Sequence, residues 1–369
     1  MDLRPRFTLA LKTFAEPGPR LVDEIECVLS VLLAILFAHV VGAHNVSWAA
    51  FSGYMVMRGH VSQSLLRGVL RIVGTGAGAA LALAVVPVIL PSLAAVTAAA
   101  ALVGGVTLYC ALTRRRAYAW LFIGLTFEMI LLDKLEYPAR SVIAFAETRV
   151  LEVIAGTLAC LLVSAASTLT VRRRWPAASP PPVRQFGWHP QAARHAGKAA
   201  LALALLPLLW WLLAIPQLAQ SAITIMAVML VPVTNLGASG FSAVSRRVLH
   251  RAAGCLAGGA LAALLLLAAL GSAPVLIVAT ALGVMAGRHI ENGRGSISYA
   301  GTQFTLAILV TLVPDSYAAA AIGPGLDRLI GILVGSVLLE PVLLAWHLVA
   351  PSRATPPAGA AATDEASSE

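Results

Sequence analysis

The chain has 369 residues, 59% of them hydrophobic and only 12% charged, with a formal net charge of +9. A soluble domain carries about twice that charged fraction, and the mean hydropathy of +0.85 points to a polytopic membrane protein. These values exclude a soluble enzyme, and they exclude a nucleic-acid-binding domain, which would need a solvated basic face.

Residues 1–25 set Arg4, Arg6, Lys12 and Arg20 against Asp2, Glu16, Asp23 and Glu24, with Pro17 and Pro19 limiting any long helix. No apolar stretch with a small-residue cleavage site follows at the spacing of a signal peptide. Residues 26–171 read as a first six-helix membrane repeat, with apolar runs at 26–42, 46–58, 68–89, 92–112, 117–132 and 143–171. Several approach the ~20 residues that cross a hydrocarbon core. The run at 46–58 is the shortest and ends at Arg58.

Residues 172–197 open with Arg172, Arg173 and Arg174 and hold Pro176, Pro180, Pro181, Pro182 and Pro190. That composition predicts a proline-stiffened polar linker. A second six-helix repeat follows at 198–348, with runs at 199–215, 218–234, 248–271, 273–287, 297–313 and 322–348. The tail 349–369 is rich in Ala, Pro, Ser and acids and reads as disordered. The expected fold is all-α, with about twelve transmembrane helices in two parallel repeats.

The basic charge follows the loops. With the N-terminus inside, the cytoplasmic segments take Arg58, Arg67, Arg114 to Arg116, the Arg172–Lys198 linker, Arg246, Arg247, Arg251, Arg288 and Arg294. The opposite loops hold only Lys134 and Arg140, while Arg149 and Arg328 fall inside spans. This asymmetry predicts that both termini and the linker are cytoplasmic. Contact of the arginines with anionic lipid is a lesser role. Cys27, Cys110, Cys160 and Cys255 fall in or beside apolar runs without metal-ligand spacing, and read as small apolar side chains.

A motif occurs twice. Arg67, Arg71, Gly74 and Gly78 line up with Arg247, Arg251, Gly254 and Gly258 under one common shift. Each arginine pair puts charge at the mouth of an apolar helix, at the membrane surface. Each glycine pair lies on one helix face, where a neighbouring helix can approach closely. The last spans answer each other too: Arg149, Glu152 and Gly156 in one, Arg328, Gly331 and Gly335 in the other. An even number of spans per repeat makes the repeats parallel, with their axis along the membrane normal and a substrate path where they meet.

The order of these features resembles the fusaric acid resistance (FUSC) family. The residues that carry the likeness are Trp48-Ala49-Ala50, the Arg67-to-Gly78 motif, Tyr118 to Thr126, and Arg149 to Gly156. The likeness covers both halves, roughly 20–171 and 197–348. That family is similar to the aromatic acid exporters and more distantly to the aluminium-activated malate channels. It implies an inner-membrane exporter of small organic anions, aromatic or other carboxylic acids. Many members carry large cytoplasmic domains after each set of six spans, where this chain has only the linker and the tail.

No phosphate-cradling P-loop, dinucleotide fingerprint, zinc motif or Ser-His-Asp order is present, so no enzyme activity, cofactor or metal is expected. Ionisable residues within spans are costly and mark function by default. Arg149 and Glu152 share a helix face; they read as a packing ion pair, as the cationic path of a carboxylate with Arg328 and its neighbour Asp327, or as arginines snorkelling to lipid headgroups. Glu128, mid-span, is a candidate proton carrier, or the partner of an arginine on a neighbouring span. Glu340 lies nearer the cytoplasmic end of the last span, and His39 and His44 flank the first external turn. Trp48 and Tyr54 are candidates to stack on an aromatic substrate, although tryptophans in spans more often anchor or pack. The expected partners are a small organic anion, the lipid bilayer, and either a periplasmic adaptor or further copies of the chain. A passive anion channel and a non-transporting scaffold are the rival readings.

Overall fold

The structure, a computed structural model, describes residues 18–176, 188–236, 240–293, 297–317 and 320–349. Most of residues 1–25, the middle of the linker, Arg294 and all but the first residue of the 349–369 tail lie outside the described residues. The described residues form twelve α-helices and no strand. They are α1 (Pro19–Val40), α2 (Val46–Val56), α3 (Val61–Ile89), α4 (Leu93–Thr113), α5 (Ala117–Glu136) and α6 (Val142–Leu169). After the linker come α7 (Pro190–Leu213), α8 (Leu218–Met229), α9 (Phe241–Ala269), α10 (Ala273–Glu291), α11 (Ser298–Leu312) and α12 (Gly323–Val349).

Seven of them (α3, α4, α6, α7, α9, α10 and α12) are long and apolar enough to cross a membrane. α1 and α5 have the length, at 22 and 20 residues, but carry more charge. α2 and α8 are different. At 11 and 12 residues they reach only about 17 Å, roughly half of a hydrocarbon core. Most of their side chains are buried, and so are Met57 and Val231 on the non-helical chain that follows each. Non-helical backbone is tolerated at depth only where protein encloses it, as here.

Three boundaries differ from the expected runs. α1 starts at Pro19 rather than near residue 26. Proline suits the first helical position because its missing N–H has no intrahelical partner there. The charged turn Arg20–Glu26 then stays helical because ion pairs to other elements hold it. α7 starts at Pro190, so residues 190–197 belong to a helix and not to the linker. α3 and α9 begin at Val61 and Phe241, which places Arg67 and Arg247 inside helices instead of ahead of them.

The two sets of six use one packing plan. α3 packs on α5 and α9 on α11; α1 and α2 pack on α6 as α7 and α8 pack on α12; α4 packs on α5 as α10 does on α11. Between the sets, α4 meets α7 and α10 meets α1, while α5 meets α8 and α11 meets α2. Each of these pairings has its counterpart, so the helices are arranged about a pseudo-twofold axis.

The glycines explain why these pairs approach so closely. A Cβ on Gly74 would stand 2.6 Å from the Ala119 carbonyl oxygen, and one on Gly78 2.5 Å from that of Ile123. Gly254 and Gly258 face the carbonyls of Ala300 and Phe304 still more closely. Gly156 meets the Ala49 carbonyl on α2, and a Cβ on Gly335 would lie 2.6 Å from the Ser221 carbonyl on α8. In each case backbone touches backbone, and no side-chain rotation could make room.

Candidate functional site

The loops before α2, α6, α8 and α12 gather at one end of the molecule, around a cavity of about 530 Å³. Its wall takes Trp48 and Phe51 from α2, Met129, Asp133 and Glu136 from α5, and Phe145 and Arg149 from α6. The second set contributes Gln217, Gln220 and Ile223 at α8, Val310 from α11, and Pro324, Asp327 and Arg328 from α12. The cavity therefore lies where the two sets meet.

The two short helices aim their N-termini at this end, and the residue before each, Asn45 or Gln217, is left-handed with φ of 64° and 61°. A helix N-terminus attracts a negative charge through its free N–H groups. Each receives one from the opposite set. The Val46 N–H donates to Asp315 at 2.8 Å, and the N–H groups of Gln217 and Leu218 donate to the two oxygens of Glu136 at 2.9 Å each.

Arg149 and Arg328 both reach the cavity wall, and both are largely buried, 7% and 6% exposed. Their surroundings differ. The Arg149 guanidinium lies over the Trp48 ring at 4.3 Å and near Phe145, and its Nη1 is 3.2 Å from Glu152. That contact lacks hydrogen-bond alignment, so Nε and Nη1 of Arg149 and both Glu152 oxygens have no hydrogen-bond partner. Ion pair and cavity wall are thus two aspects of one residue. Arg328 has no acid. Its Nη2 donates to the Gln303 side-chain oxygen at 3.2 Å, which also accepts from Arg251 Nη1 at 3.0 Å. Among the described residues no carboxylate pairs with Arg251 or Arg328. Asp327, beside Arg328 in sequence, is exposed and forms no ion pair with it.

The remaining charges of the wall are spoken for. Arg140 holds Asp133 at 2.6 Å, and Glu136 caps α8. Tyr137, in the loop after α5, has its phenol held above the ordinary value by partial burial and by the neighbouring Glu136 carboxylate. It stays a neutral donor at the rim.

The other candidates fall elsewhere. Tyr54 is fully buried and does not face the cavity: its hydroxyl donates to Glu291 and accepts from Thr305 at 3.3 Å, tying α2 to α10 and α11. That position takes Tyr54 off the cavity wall, where the expected stacking would need it. Glu128 is fully buried with neither oxygen partnered, so no arginine of a neighbouring span pairs with it. It sits beside Gly104 of α4, off the cavity wall. Glu340 accepts from Ser245 at 2.9 Å.

Both repeated arginine pairs clasp a tyrosine. Arg67 lies 4.7 Å over the Tyr118 ring while Arg71 donates to its hydroxyl at 3.2 Å; Arg247 lies 4.2 Å over Tyr299 while Arg251 donates at 3.2 Å. A guanidinium over a ring gains from the ring's negative face. Glu136, Asp315 and Gln303 carry no motif in the sequence; only Gln303, a mid-span amide next to the second clasp, offered any signal.

No curated protein and no solved structure matches the chain. Residues 33–163, which run from within α1 to within α6, match the fusaric acid resistance protein-like family. On that ground the first six-helix set is similar, over those residues, to the fusaric acid resistance-like membrane proteins.

Proposed function

We propose that the chain exports small organic anions, aromatic or other carboxylates, across a bacterial inner membrane through the cavity between its two six-helix sets. The family is one of membrane transport and efflux rather than of enzymes, which supports the general reading. The observation that carries the anion is Arg328, a buried guanidinium on the cavity wall that shares an amide oxygen with Arg251 and, among the described residues, pairs with no carboxylate. Two buried cations without a counter-ion are costly. A substrate carboxylate there would complete the charge balance and could take two parallel hydrogen bonds from the guanidinium fork. Trp48, stacked on Arg149, offers the same cavity an aromatic wall. A scaffold subunit would instead bury both arginines among helices, away from any cavity.

Inside-out membrane vesicles test the reading directly. Vesicles containing the protein should accumulate radiolabelled benzoate faster than vesicles lacking it, and equal rates would end the proposal. Glu128 decides the energy source. An exporter coupled to protons needs a titrating group within the membrane, so Glu128→Gln should abolish uptake driven by a pH gradient while leaving benzoate exchange intact. Unchanged gradient-driven uptake would remove Glu128 from the coupling, and parent uptake indifferent to the pH gradient would favour a passive channel.

We further propose that both termini and the linker are cytoplasmic, on the strength of the arginine-rich loops at the end opposite the cavity. Reporter fusions after Arg173 and Ser352 should both read cytoplasmic. An external signal at either would mean that a span has been miscounted, most likely at 46–58.

A further inference from the structure

Two of the seams between the sets, α4 with α7 and α1 with α10, are equivalent in position but opposite in chemistry. α4 carries no Asp, Glu, Lys or Arg over its whole length. It meets α7 through small residues: a Cβ on Gly105 would lie 2.9 Å from Ala200, and Gly104 faces Leu203. The equivalent seam, α1 against α10, is closed by charge. Arg288 holds Asp23 through two hydrogen bonds of 2.7 and 3.2 Å, Asn292 donates to the same carboxylate at 2.8 Å, and His289 reaches Glu24 at 2.9 Å. Arg172, at the end of the first set, adds Glu26 at 2.6 and 2.8 Å. These groups lie at the first turns of α1 and the last turns of α10, the end opposite the cavity.

From this contrast we infer that the α1–α10 ion cluster is the gate that closes the cavity's far end, and that the α4–α7 seam is the hinge about which it opens. Opening an apolar, glycine-packed seam would expose backbone and small apolar side chains with nothing in the new surroundings to replace their contacts. Opening a seam of carboxylates and guanidiniums lets water replace each partner. The polar seam is therefore the one that can part repeatedly. It also lies on the membrane face away from the cavity mouth, where a second opening is required for a solute to pass through.

Spin-label distances test this without any substrate, so failure here is separate from failure of the anion-transport reading. Leu29, Leu102, Leu201 and Leu282 are all exposed on the surface and occupy matching places in the two sets. The four native cysteines are buried, which favours labelling at introduced ones. In the purified full chain in lipid nanodiscs, Leu102→Cys with Leu201→Cys should give one narrow distance across the hinge. Leu29→Cys with Leu282→Cys should give a broader distribution with a longer component. Adding Asp23→Asn should enlarge that component and leave the hinge distance unchanged. Equal widths at both seams, or widening at α4–α7, would overturn the assignment. Should Asp23→Asn fail to fold, the reversed pair Asp23→Arg with Arg288→Asp must restore the short distance if the seam is held by charge.

Discussion

Arg328→Gln should reach the membrane in normal amount yet transport benzoate about 10- to 100-fold more slowly in kcat/KM. Hydrogen bonds to charged groups contribute about 1.5–3 kcal/mol, and each 1.4 kcal/mol is about tenfold in rate. The protein should survive because, among the described residues, no carboxylate depends on Arg328; Asp327 is exposed and makes no pair with it. Arg328→Lys should keep part of the activity, since the charge remains but the planar fork does not. Arg149→Gln should behave differently. Glu152 is fully buried beside it, and removing one partner of a buried pair costs about 3–5 kcal/mol. Its main effect should be a loss of folded protein, restored by adding Glu152→Gln. Fluorescence-detected size exclusion gives the amount, and vesicle uptake gives the rate. Normal uptake by the Arg149→Gln, Arg328→Gln double variant would remove both arginines from the path.

Leucine at Gly74 or Gly254 should prevent accumulation of folded protein altogether. The Cβ alone would sit 2.6 Å from the Ala119 carbonyl oxygen for Gly74, and closer to that of Ala300 for Gly254. Forcing extra methylenes into a packed interface costs about 1–3 kcal/mol where side chains can shift. Here backbone opposes backbone, so the cost falls at or above the top of that range. Alanine at either position should lower the detergent melting temperature measurably, and more so when both are changed. Gly76 and Gly259 are the controls, because a Cβ at either meets nothing within 4 Å. A Gly74→Leu, Gly254→Leu protein with the parent's yield and melting temperature would contradict the packing account.

The linear chain by itself determined the class, the helix count and the duplication. Apolar runs broken by arginine-rich loops permit little else in a bilayer, since backbone polar groups there must be satisfied within helices. The paired Arg and Gly motifs were readable because they recur at one shift, and a helix fixes which residues share a face. The matching of Arg149 with Arg328 was also legible, down to glycine at position 331 where the first set has Glu152. What that difference means was not. Whether an arginine meets an acid, an amide or a cavity depends on helices distant in sequence, and only packing brought Gln303 to both Arg251 and Arg328. The same holds for Tyr54, whose place in a short aromatic span suggested a pathway but whose hydroxyl is taken by Glu291, far along the chain. Packing also decided the exchange of Asp315 and Glu136 between the sets, because a helix N-terminus accepts any carboxylate that the fold delivers to it. The charged turn of α1 is the clearest case. Its acids end an apolar run when read along the chain, and become the continuation of a helix once Arg172 and Arg288 stand opposite them.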